Sequence, residues 1–239
     1  MSEGKFANPG AVFRQKLAGL LSMTQLVTNP EQFFEGRINS PTIRWEVTIV
    51  ALVGALSLPG VYYVTTVAAP VIDSAEFSFV RAGRLLRPVV IPFLLWIGYA
   101  LFFHLLANRL RGRGPPGRLL KGTAWALLPL GVGNLLRSAA MIFVYTRFDV
   151  ESAMSGRDAR EQVTSLLDAG LGEPAMLVAV VLFAGLVLWS GYLMTYVVQV
   201  AKDIERRQAF TLVAPPVAIH VLFVLLALVQ GSVNVSLLI

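Results

Sequence analysis

A serine and a histidine on neighbouring membrane helices are enough for a hydrolase working inside a bilayer, and Ser190 and His220 lie on two consecutive apolar stretches of this chain. Their depths are comparable, which permits the pairing. Against it, Leu188-Trp189-Ser190-Gly191 lacks the leading glycine of a Gly-x-Ser-Gly turn, and no donor for an oxyanion is evident. His104 and His220 are the only histidines. With no cysteine in the chain and no carboxylate in their stretches, they do not complete a metal site, and neither a metal nor another cofactor is expected. Arg137 is the chemically unusual residue, a lone charge inside the apolar run from Gly122 to Thr146. Facing lipid it would cost from ~3 to more than 10 kcal/mol. Its available partners are Asn134 one turn earlier, Gln199, Gln230, backbone carbonyls freed by prolines, outer carboxylates such as Asp73, or a lipid phosphate. Two readings stand: Arg137 is structural or snorkels to the outer headgroups, or with Asn134 it binds a lipid or a partner.

The elements that must position these groups follow from composition. The chain has 239 residues, 56% hydrophobic and 14% charged, against roughly a quarter charged in a soluble domain. It is therefore a membrane protein. Stretches free of Asp, Glu, Lys and Arg, with Arg137 bridged, give five spans at about 47–72, 88–108, 122–146, 174–201 and 211–236. The fold class is all-α: a five-helix transmembrane domain over residues 41–239, preceded by a cytoplasmic amphipathic segment over residues 1–40. No acid falls inside the spans as bounded here.

Lysine and arginine divide unevenly between the connections, thirteen on the side of the N-terminus and six on the other. Basic loops stay in the cytoplasm, so the N-terminus is expected inside and the C-terminus outside. Because the basic residues sit in loops between apolar runs, they bear on orientation, and no nucleic-acid partner is expected. Arg109 to Lys121, rich in glycine and proline, reads as a solvated turn on the inner side. Sixteen arginines against four lysines point to a GC-rich, prokaryotic source and its cell membrane.

In the N-terminal segment Phe13, Leu17, Leu20 and Leu21 form an apolar stripe at helical spacing, suited to the membrane interface. Asn29-Pro30-Glu31-Gln32 is a helix start, with Asn as N-cap, Pro at the first position and Gln at the third. Phe33 and Phe34 follow, and Ser40-Pro41 repeats the signal before span one. Pro59, Pro92 and Pro129 lie inside spans, and each removes a backbone hydrogen bond and is expected to kink its helix. A short amphipathic helix is expected from Ala159 to Ala169, ended by Gly170. Small-residue pairs, Ala51 with Ala55 and Gly131 with Gly133, allow close helix packing.

The order of these features resembles the Yip domain family of five-span membrane proteins. The likeness is carried by Asn29-Pro-Glu-Gln-Phe-Phe34, by Gly122-Thr-Ala-Trp-Ala-Leu-Leu-Pro129 in span three, and by Leu188-Trp-Ser-Gly-Tyr192 with the short Lys202 to Arg207 connection. It covers nearly the whole chain, which looks like a prokaryotic member. Eukaryotic members are implied to serve vesicle traffic by binding prenylated Rab-type GTPases; their Asp-Leu-Tyr-Gly-Pro signature is absent from this sequence. The resemblance therefore implies an architecture and a non-enzymatic role as adaptor, scaffold or membrane-organising factor. Phe13, Leu17, Asn29, Pro30, Phe33 and Phe34 would form its contact surface for a protein partner, with membrane lipids as further partners and self-association open. The alternative is a small permease or channel, for an anion, lined by polar groups around Arg137.

Overall fold

The computed structural model describes residues 24–39, 41–69, 75–147 and 159–230. Phe13, Leu17, Ser40 and Asp73 lie outside them. The described elements are all helical: α1 (Pro30–Ile38), α2 (Arg44–Ala55), α3 (Leu58–Ala68), α4 (Ala75–Arg109), α5 (Pro116–Ala126), α6 (Leu128–Tyr145), α7 (Ala159–Leu171), α8 (Pro174–Lys202) and α9 (Arg206–Gln230). Five stretches are long and apolar enough to cross a membrane: Arg44–Ala68, Ser78–Arg109, Pro116–Tyr145, Pro174–Lys202 and Arg206–Leu226. The third begins six residues before the expected position 122, because Pro116 starts a helix and Leu119 is buried within one turn of it. Only Leu110 to Pro115 is left as the turn.

Spans one and three are each built from two helices. Pro59 and Pro129 do not kink a continuous helix, as expected from sequence, but stand near the start of α3 and α6, just after breaks at Leu56–Ser57 and Leu127. Pro92, with Pro88, does lie inside an unbroken helix, α4. The chain reopens at each break because proline has no N–H and its ring crowds the preceding turn. In a bilayer the freed backbone groups need protein partners, and neighbouring spans supply them.

Span four is the hub, packing against spans three and five and against α1. Both halves of span one lie on α6, and α2 lies along α4. Gly131 sits against Val53 and Leu56, and Gly133 against Phe183, whereas Ala51 and Ala55 are exposed. On the face opposite α1, α7 runs to Leu171 and keeps Gly170 inside the helix. The Tyr145 ring presses on Gly170, and its hydroxyl donates to the carbonyls of Leu166 and Leu167 at 3.2 Å.

Candidate functional site

The centre of the bundle is a cavity of about 70 Å³ to which every one of the five spans contributes a side chain. Its polar lining comes from Asn134 and Arg137 on α6, Ser57 at the break in span one and His220 on α9; Phe183 and Pro92 are among its apolar walls. Arg137 is 6% exposed. Its Nη2 donates to Asn134 Oδ1 at 3.3 Å, and its guanidinium carbon lies 5.0 Å from the centre of the Phe183 ring. The side chain turns inward, so the snorkelling reading is replaced by a cation held inside the bundle. Among the described residues the lining contains no carboxylate.

Asn134 is fixed by the broken helix of span one. At the break Ser57 N–H bonds to the Gly54 carbonyl, which leaves the Val53 carbonyl without its helical donor, and Asn134 Nδ2 donates to it at 2.8 Å. One turn on, Ser138 Oγ accepts the N–H of Gly60. The polar face of α6 is thus held against span one by backbone groups that the break exposes.

Ser190 and His220 do not pair. Ser190 Oγ donates to the Ala126 carbonyl at 2.7 Å, at the break in span three. His220 Nδ1 meets the Tyr99 hydroxyl at 3.0 Å. Each partner of the hypothetical dyad is committed to holding helices together.

The second polar region lies on the face that carries α1. Asn29 caps α1 as its sequence predicts, with Oδ1 accepting from Gln32 N–H and Nδ2 donating to Gln32 Oε1 at 3.2 Å; Pro30 occupies the first turn. Phe33 and Phe34, 2% and 0% exposed, are buried against spans three and four instead of being presented outward. Phe33 meets Trp125 edge to face at 5.4 Å between centres, and Arg37 lies over the same indole at 4.7 Å. Gln199 Nε2 donates to Glu31 Oε1 at 2.9 Å, so this glutamine ties α1 down and does not serve Arg137.

The chain matches the family model described as the Yip1 domain over residues 24–228. It belongs to the Yip1 domain family. Comparison with curated proteins and with solved structures gives no match. The Yip1 match takes in α1 together with all five spans, which agrees with a first helix that is packed into the bundle.

Two charged residues of this Yip1 domain escaped the sequence reading because they flank the apolar runs. Glu46 lies inside span one, correcting the expectation of acid-free spans. It is 3% exposed in the first turn of α2, where a helix favours negative charge, and its Oε1 accepts from Trp125 Nε1 at 3.4 Å. Lys202 ends α8 and is fully buried. Its Nζ donates to His104 Nδ1 at 2.6 Å, Asn108 Oδ1 at 2.9 Å and the Gly114 carbonyl at 2.9 Å. Arg113 N–H returns a bond to the Lys202 carbonyl at 2.8 Å. Gly114 has φ +119 and an added Cβ would meet the Ala201 carbonyl, so only glycine brings the turn this close. The turn after α4 is therefore clamped to span four, not left to solvent. The signal available in sequence was His104 and Asn108 at i and i+4, one helical face, together with the first lysine after an apolar run. Lys202→Met keeps the buried stem and removes the ammonium. It is expected to lower stability by about 2 kcal/mol through unpaired acceptors and to speed hydrogen exchange of the amides from 110 to 115; unchanged exchange there would argue against the clamp.

Proposed function

We propose that this Yip1-family chain is a non-enzymatic adaptor or scaffold of the membrane, which offers a rigid platform on its cytoplasmic side to a protein partner. The observation that carries the reading is the docking of α1: with Phe33, Phe34 and Ile38 buried, the exposed Glu31, Gln32 and Glu35 are held in one orientation beside the bundle. A preorganised surface loses less freedom on binding. The exposed Arg111, Arg113, Arg206 and Arg207 lie on the turns of the same face, a rim suited to anionic lipid. The excess of lysine and arginine in the connections on this side supports a cytoplasmic location, and the arginine bias supports a prokaryotic cell membrane. Ser190 and His220, each bonded to a different helix partner, support a role without hydrolysis.

The test places a photo-reactive residue at position 35 and irradiates native membranes. A discrete protein adduct is expected from position 35 and none from the lipid-facing position 178; only lipid adducts at both would reject the platform. Deleting residues 1–39 is a poorer test, because it also strips Phe33 from Trp125. Transport of a small anion is the second reading, favoured by the Arg137 cavity. Flux into proteoliposomes that stops in Arg137→Ala would bring it forward.

A further inference from the structure

Among the described residues, the Arg137 cavity is lined by donors and carries no negative charge. Arg137 has five N–H donors, of which one is given to Asn134. Asn134 gives one amide proton to the Val53 carbonyl and accepts from Arg137 with its oxygen, leaving its second N–H unassigned. His220 Nδ1 lies 3.0 Å from the Tyr99 hydroxyl; in the tautomer with the ring proton on Nε2, Tyr99 donates to Nδ1 and the imidazole is a third donor on the cavity wall. Ser57, the remaining polar liner, has its hydroxyl proton on the Gly54 carbonyl. Hydrocarbon from Ile91, Leu95, Leu130 and Phe183 lines the rest. A buried cation surrounded by spare donors and apolar walls is complementary to an anion, which supplies the neutralising charge that water lacks. At ~10–15 Å³ per water-sized probe, about 70 Å³ has room for a halide-sized ion and a few waters.

We infer that a small monovalent inorganic anion, chloride in size and charge, binds in this cavity between Arg137, Asn134 and His220. The ion neutralises Arg137 where the five spans meet, and so holds them together whether or not it is ever transported. A lipid phosphate supplies the same charge, but it must reach a guanidinium that lies nine residues before Thr146, ~14 Å along the helix.

The test uses the purified full-length chain in detergent, in chloride-free gluconate buffer, with radiolabelled chloride in equilibrium binding and a thermal unfolding scan beside it. One saturable site per chain is expected, with a higher unfolding temperature in chloride or bromide than in gluconate. Arg137→Gln should weaken binding at least about tenfold. Leu95→Phe, which leaves the arginine and fills the cavity, should do the same and keeps the proposal testable if the first variant fails to fold. Absence of a saturable site in the wild-type chain would overturn the inference, as would chloride binding unaffected by both variants. Stoichiometric release of a phospholipid from the wild type but not from Arg137→Gln, without chloride binding, would also overturn it in favour of a lipid phosphate. Binding is measured without flux or a protein partner, so its failure leaves the adaptor reading standing.

Discussion

Phe34→Ala is expected to release α1 from the bundle. The ring is fully buried and stacked edge to face on Phe33 at 5.3 Å, which in turn meets Trp125. Truncating a buried phenylalanine costs about 3–5 kcal/mol. A helix of nine residues has too little intrinsic stability to stay folded and docked without its apolar face. Limited trypsin digestion reads the outcome at Arg37, whose side chain lies over Trp125 in the docked state. The wild-type chain should resist cleavage there, and the variant should be cut at least about tenfold faster, as an undocking of this size implies. The five spans should remain inserted, since none of them is interrupted. Equal cleavage of both chains would mean that α1 is not held by these rings. In the variant the Glu31–Gln199 bond should be lost as well, because the helix that carries Glu31 leaves its seat.

Gly54→Ala is expected to force spans one and two apart. Pro92 has no N–H for the Pro88 carbonyl, and that carbonyl lies directly against Gly54. An added Cβ would overlap the Pro88 oxygen and come within 3.3 Å of the Pro88 carbonyl carbon and Val89 Cα. All of these are backbone atoms, which have no rotamer to escape into. The cost is placed at the upper end of ~1–3 kcal/mol for overpacking, and it should fall on the cavity as well, because Val53, Pro88 and Pro92 are among its walls. Gly98→Ala in α4 is the matched control. Nothing lies within 4 Å of its Cβ position, so the change should leave stability level or raise it by up to about 1 kcal/mol through helix propensity. Thermal unfolding in detergent separates the pair; a Gly54 variant as stable as the Gly98 variant would show that the two spans have room to yield.

The division between what composition alone reveals and what packing adds can be drawn residue by residue. Five spans, an all-helical class, the family and the capped start of α1 at Asn29 all follow from local patterns. Apolar runs of sufficient length, a proline at the first helical position and a glutamine at the third act within a few residues of one another. Where a span begins or ends was less legible. Glu46 and Lys202 look like loop charges because they border apolar runs, and only the surrounding helices reveal that Trp125 receives one while His104, Asn108 and Gly114 receive the other. The inward or outward turn of Phe33 was similarly open, since an apolar face on a short helix fits a bilayer surface, a partner or its own bundle equally well.

Sequence by itself determined that this protein lives in a membrane as five helical spans, and that Arg137 needs an explanation there. Tertiary structure decided everything about how that explanation is built. Asn134 meets a carbonyl 81 residues away in Val53, and Ser190 meets one 64 residues away in Ala126. Those carbonyls became available because helices broke beside Pro59 and Pro129. A proline announces locally that a backbone bond will be missing; which side chain comes to replace it depends on the packing of distant helices in a medium that offers no water.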